Sequence, residues 1–512
     1  MKADNFMLDS EWWTLEDVFS RLSNIQTGEF ISDMDPNVNA RVEKCHSYLA
    51  SRIAAKGEPI YGVNTGFGAL ANTEIANDKL SELQDKIIIS HACGVGDSVP
   101  DVIVRTMLLL KAKSLSQGYS AVNPETISRL LDMLENDIRP VVPSLGSLGA
   151  SGDLAPLSHL VIPMIGEGEV SIAGANPVHS SEALEKFGWE KLKLGPKEGL
   201  ALINGTQLML GYGVISMLRL ENLLEWADAI GAWSLEAWSG LSSPFDHDVH
   251  RIRNQEGAIV VAASVRKWLE GSEKMSAPRS YVQDPYSFRC IPQVHGASRD
   301  IISAARELFE NEVNAVTDNP LVFPDEDKVV SGGNFHGQPL ALMLDHLTLA
   351  IHELASISER RTFKLLSGTR NLPAFLAKDP GLNSGYMIAQ YTAASLVSMN
   401  KQLTTPSSAD NADSSNGQED HVSMGANAAL KLWNVIDNAE QVFAIEALCA
   451  AQASDLGGIA GLGGMSPKLA KLQESLRKEV PFLDEDAYMA PILSDALTWI
   501  TSNLPEDLDT CR

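Results

Sequence analysis

The 512-residue chain carries 66 acidic and 40 basic side chains, a formal net charge of −26, with 44% hydrophobic and 21% charged residues. This is a globular composition with ample material for a large core. So negative a surface repels phosphate backbones and anionic lipid, which argues against nucleic acid or a membrane as partner. The five cysteines (Cys45, Cys93, Cys290, Cys449 and Cys511) are scattered and form no C-x-x-C pair. That predicts reduced thiols in a cytoplasmic setting rather than a disulfide framework or a zinc site. The N-terminal "MKADNFMLDSEWW" lacks the apolar core of a secretory signal, and no uninterrupted apolar run is long enough to span a bilayer.

In chain order, the first distinctive segments are loops rich in Gly, Asn and Ser, "YGVNTGFGAL" (61–70) and "SLGSLGASGD" (144–153). The stretch "GASGDLAPLSHL" (149–160) predicts a helix start, with Ser151 or Asp153 as N-cap, Pro156 in the first turn, and Leu157 and Leu160 facing a core. "GEVSIAG" (168–174) and "LVFPDEDKVVSGG" (321–333) predict short hairpins. A near-apolar helix is expected from about Gln207 through Trp226 and on toward Trp238. Two further long helices follow from stripes spaced three and four apart: Leu340, Leu344, Leu347, Ile351 and Leu354, then Leu432, Ile436, Ala439, Phe443 and Ala447. Between them lies "TTPSSADNADSSNGQED" (404–420), a mobile segment or a functional lid. The expected architecture is mainly α: a loop-rich N-terminal domain over 1–200, and a long-helix bundle and oligomerisation domain over 201–512.

Several chemistries are disfavoured. "DHDVH" (246–250) has neither His-x-x-x-His spacing nor a third ligand cluster nearby, so it reads as a solvated turn and no metal is expected. "GGIAGLGG" (457–464) lacks the Gly-Lys-Ser/Thr of a phosphate cradle, and no G-x-S-x-G elbow surrounds any serine. What remains is a set of polar residues in loops: Tyr61, Asn64, Ser90, His91, Asn204, Gln283, Tyr286, Arg289, Phe335 and Glu419. Arg289 offers a planar fork for a carboxylate, Tyr61 and Tyr286 are phenols capable of acid–base work, and His91 and Glu419 can hydrogen-bond a polar ring. The inventory suits an amino-acid substrate but lacks an electrophile.

"GASGDLAPLSHL" resembles the signature of the aromatic amino acid ammonia-lyases. Further motifs resemble that family in the same order: "IYGVNTGFG", "SHACGVGD", "PKEGLALINGTQ", "VQDPYSFRC", "TDNPL", "SGGNFHG", "LNSGYMIAQYTAA" and "QEDHVSMG". The resemblance implies a fumarase/aspartase-like lyase architecture. It also implies an electrophile: 4-methylidene-imidazol-5-one (MIO), formed autocatalytically from Ala150, Ser151 and Gly152, with Asp153 as the acid implicated in the cyclisation. By the same resemblance Tyr61 is the base, and Tyr286 and Asn204 hold the intermediate. Arg289 binds the substrate carboxylate, Gln283 and Phe335 line the prosthetic group, and His91 and Glu419 contact an imidazole. Ser90-His91 and Glu419 are most similar to the histidine-specific branch, which implies elimination of ammonia from L-histidine to trans-urocanate. The alternatives are a tyrosine or phenylalanine ammonia-lyase, a 2,3-aminomutase of the same family, and a non-catalytic scaffold that kept the fold. Family members are homotetramers with shared active sites, which the long apolar helices would serve. Ile291 and His295 in "RCIPQVHG", "SMNK" (398–401) and the loop 406–417 depart from the family pattern, and that loop is expected to pack over a neighbouring subunit's site.

Overall fold

The computed structural model describes residues 7–27, 33–56, 59–457 and 463–510; residues 1–6, residues 458–462 of the glycine-rich segment, and Cys511 lie outside them. Helices dominate, and the strands are short and gathered in small separate sheets. The chain forms two compact units that interleave in sequence: residues 1–215, 306–345 and 406–430 make the first, and 216–305, 346–405 and 431–512 the second. A single cut near residue 200 does not describe them. Four long helices, Gln207–Ala237, Ile291–Val313, Gln338–Leu365 and Gly425–Asp455, each have residues in both units.

In the first unit the Asp101–Ser116 helix is buried on nearly every face, from Ile103 and Val104 to Leu115. It packs against Pro124–Glu135, a helix that starts with Pro124 in its first turn and the Asn123 side chain accepting from the Glu125 amide. Both devices satisfy or dispense with amides that a helix start leaves unpaired. The 321–333 hairpin is present as Leu321–Phe323 against Lys328–Val330. Residues 168–174 differ from expectation. Glu169–Ile172 is the middle strand of a three-stranded sheet, paired with Ile138–Pro140 as well as Val178–His179. Its first partner is distant in sequence, which a local pattern cannot reveal.

The second unit is a bundle whose core stripes match those read from the sequence. Leu347, Ile351 and Leu354 are fully buried, as are Leu432, Ile436, Ala439, Phe443 and Ala447. Alanines at Ala227, Ala229, Ala232, Ala444, Ala450 and Ala453 are also buried, and small side chains at contacts shorten interaxial distances. By length and mean hydropathy Gln338–Leu365 could cross a membrane, although the sequence offered no uninterrupted apolar run. Asp345 and His346 interrupt its apolar sequence, and 61% of the apolar stretch is buried within the protein, as in a core helix. "DHDVH" is not a turn. Asp246 caps the helix His247–Arg253 by accepting from the Asp248 amide, and His250 is buried on the Pro244 carbonyl.

Candidate active site

The tripeptide Ala150-Ser151-Gly152 lies in the first unit, between the short strand Pro143–Leu145 and the helix Leu154–Val161. Gly152 has φ +76°, and a Cβ there would overlap the Gly205 carbonyl, so only glycine fits the close approach. The two glycines form an isolated bridge, reinforced by the Asp153 amide donating to the Gly205 carbonyl at 2.7 Å. Asp153 stands at the start of the Leu154–Val161 helix, yet its side chain does not cap that helix. Its Oδ2 instead accepts from the Leu208 and Met209 amides, both at 3.0 Å, and so caps the start of Gln207–Ala237. The expected N-cap is therefore a cap across elements, tying the tripeptide to a 31-residue core helix.

Asp153 is fully buried. Burial pushes its carboxyl up to about 7, against the opposing pull of the Met209 and Leu208 amides, the Ser147 hydroxyl and Lys111. Lys111 is buried too, and burial lowers its ammonium to about 7. It donates to the carbonyls of Asn204 (2.9 Å) and Ala201 (3.3 Å), which end the short helix Glu198–Ile203. A cation there meets the negative end of the helix and fixes Asn204. The Asn204 amide nitrogen then donates to the Ser151 carbonyl at 2.6 Å, while its Oδ1 is buried without a partner. Nearby, Lys197 is buried against Asp318 and donates to the Ser120 carbonyl at 2.8 Å.

Above the tripeptide opens a cavity of about 900 Å³. Of the residues singled out from the sequence, Tyr61, Ser90, His91, Ala150, Ser151, Asn204, Phe335 and Glu419 line it, and Gly152 and Asp153 are buried in the chain that follows. The Gly68 amide donates to the Tyr61 phenol oxygen at 3.1 Å, which orients the ring. His91 has Ser90 Oγ at 3.0 Å from Nδ1, and burial holds its imidazole below the ordinary value despite the pull of Glu419. Ser151 donates to Glu419 Oε1 at 2.5 Å.

Gln283, Tyr286 and Arg289 do not line this cavity; they belong to the second unit. Tyr286 is 70% exposed and Val282 90% exposed. Arg289 stacks on the Tyr286 ring, 4.7 Å from its centroid. The loop 406–417 contributes Ser415 to the cavity of its own chain, and the loop is tied down by the Ser408 amide on Asp345 and by the Asn411 side chain on Val422 and Asp420.

Sequence reasoning missed Lys111, which sits in an apolar run, and His336 and His421. The last two line the cavity within "SGGNFHG" and "QEDHVSMG" and stack at 5.8 Å. Their motifs were the available signal. Among the described residues no cluster of His, Cys, Asp and Glu could hold a metal.

The tripeptide suits a cyclised prosthetic group. Its glycine has no room for a side chain, its serine carbonyl already holds one amide donor, and the Asn204 side chain that supplies it keeps a buried acceptor without a partner.

A family model described as "Aromatic amino acid lyase" matches residues 15–478. The chain is 46% identical over 491 residues to histidine ammonia-lyase of Myxococcus xanthus, covering 95% of this chain and 94% of the relative. It is 48% identical over 450 residues to histidine ammonia-lyase of a Geobacillus species, covering 88% of each. The crystal structure of histidine ammonia-lyase from Trypanosoma cruzi superposes with a TM-score of 0.89 at 36% identity, covering 98% of this chain and 94% of that one. Tyrosine aminomutase from Streptomyces globisporus superposes with a TM-score of 0.90 at 35% identity, covering 98% of both.

Proposed function

This chain belongs to the aromatic amino acid lyase family and is a carbon–nitrogen lyase, and we propose that it eliminates ammonia from L-histidine to give trans-urocanate. The observation that carries the substrate assignment is Glu419, a carboxylate in the same cavity as the tripeptide, with His91 beside it. A phenyl ring would leave that carboxylate poorly paired, whereas an imidazole N–H satisfies it. In this reading the MIO group is formed from Ala150, Ser151 and Gly152, with Asn204 holding the Ser151 carbonyl. Once formed, the group supplies an electron sink that makes the substrate nitrogen a leaving group.

The chain's own residues do the rest. Tyr61, oriented by the Gly68 amide, takes the β-proton. His91 and Glu419 hold the imidazole, and Phe335 closes the cavity wall. Asp153, with a carboxyl near 7, can take or release a proton beside the tripeptide as it cyclises. Arg289, Tyr286 and Gln283 bind the substrate carboxylate and flank the prosthetic group from a neighbouring copy, in a homotetramer with shared sites. The free Cys45, Cys93, Cys290 and Cys449 agree with a cytoplasmic setting.

Intact-mass spectrometry tests the group: the mature chain is lighter than its sequence by two waters, and Ser151→Ala abolishes the deficit. An unmodified wild-type mass would overturn the mechanism. Offering L-histidine, L-tyrosine and L-phenylalanine separately, and following the conjugated acid in the ultraviolet, tests the substrate. A β-amino acid product would instead identify an aminomutase.

A further inference from the structure

Three serine hydroxyls hold the Glu419 carboxylate, two on one oxygen and one on the other. Its Oε2 accepts from Ser414 Oγ at 3.0 Å and Ser415 Oγ at 2.9 Å, which uses both lone pairs of that oxygen. Its Oε1 has the Ser151 hydroxyl at 2.5 Å, and that hydroxyl is the one that leaves as water when the tripeptide matures. The two serines lie in a tight loop closed by backbone bonds between Ser414 and Glu419, at 3.0 and 3.3 Å. Within it Ser415 and Asn416 have positive φ, +50° and +52°, a conformation that asparagine tolerates and serine seldom adopts. The same Ser415 side chain lies against Gly68, whose amide orients Tyr61.

We infer that Ser414 and Ser415 are positioning residues for substrate recognition: by filling Oε2 of Glu419 they leave Oε1, the oxygen Ser151 occupies in the unmodified chain, as the acceptor for the ring N–H. The inference rests on the reading of Glu419 as the imidazole partner. It gives the divergent loop 406–417 a role in its own chain's cavity, and it explains why a partly buried carboxylate is held by hydroxyl donors rather than by a cation. A neighbouring Lys or Arg would compete with the substrate for the charge, whereas hydroxyls fix geometry and leave the charge available.

Ligand binding to the full-length Ser151→Ala protein tests this, because that variant vacates Oε1 and needs no mature group. Titration uses trans-urocanate and trans-cinnamate, which differ in imidazole against phenyl. Adding Ser414→Ala and Ser415→Ala is expected to weaken trans-urocanate about tenfold and to leave trans-cinnamate unchanged. Threonine at 414, where the backbone is extended, restores one hydroxyl and part of the affinity. Glu419→Gln in the same background separates the two readings. If it weakens trans-urocanate while the serine pair does not, the positioning role is overturned and the substrate assignment stands. If it leaves trans-urocanate unchanged, the imidazole reading fails and this inference with it. Equal loss of both ligands on serine removal would mark a collapsed cavity and overturn the inference.

Discussion

At the scale of single residues, the tripeptide is set by one glycine and one acid. Gly152→Ala must either shift the Gly205 backbone or abandon φ +76°. It is expected to lower stability by about 1–3 kcal/mol and to block maturation, visible as a lowered thermal midpoint together with an unmodified mass. Asp153 makes a different prediction. Burial raises its carboxyl from 3.8 to about 7, so over that interval the folded chain keeps a proton that the unfolded chain releases. Stability contributed by this group therefore falls as pH rises from about 4 to about 7, and is level above it. Asp153→Asn cannot titrate, so its urea midpoint should decline less than the wild type's across that window. Lys111 has the opposite sign: its ammonium is lowered from 10.5 to about 7, so the unfolded chain holds the extra proton and stability rises with pH between those values. Lys111→Met should flatten that rise.

Between elements, the second unit is held by a buried polar network as well as by its apolar stripes. Arg361 donates to Glu446 from Nε at 2.5 Å and from Nη2 at 2.8 Å, and Ser234 also donates to Glu446. The Arg361 guanidinium reaches His295 Nε2 at 3.3 Å, and His295 Nδ1 lies 3.0 Å from Asp228. This explains why a histidine is found at 295. Its two ring nitrogens bridge a buried guanidinium donor and a buried carboxylate acceptor, and burial holds the imidazole below its ordinary value, in the neutral form that can do both. Glu446→Ala leaves the Arg361 charge buried with no carboxylate partner. It should cost about 3–5 kcal/mol in chemical denaturation. Replacing Arg361 and Glu446 together by Met and Leu should cost much less, because no orphan charge remains.

At the scale of the whole molecule, the proposed assembly makes a genetic prediction. Tyr61 and Asn204 line the cavity, whereas Tyr286 and Arg289 lie outside it in the second unit. If sites are shared between copies, Tyr61→Phe and Tyr286→Phe chains are each nearly inactive alone. Mixed assemblies recover activity, since some sites then combine a wild-type Tyr61 with a wild-type Tyr286. Co-expression followed by an ultraviolet assay measures this, and no recovery would count against shared sites. A sedimentation profile of the wild type tests the tetramer directly.

The helical class, the long core helices and several polar residues of the cavity were legible in the sequence. The stripes at Leu340–Leu354 and Leu432–Ala447 repeat every three to four residues, and that period alone commits a segment to a helix with one buried face. The motif residues Tyr61, His91, Asn204, Phe335 and Glu419 could be named because side-chain chemistry is written locally. What the sequence could not hold is proximity. That Asp153 caps the Gln207–Ala237 helix instead of its own, that Lys111 in an apolar run supports Asn204, and that Ser414 and Ser415 grip Glu419 all depend on backbone paths. The interleaving of the two units has the same origin, because helices spanning both carry the chain back and forth. Local pattern determined which residues could do chemistry. Tertiary structure decided which of them meet, because hydrogen bonds and buried charges act over a few ångströms of space whatever their separation along the chain.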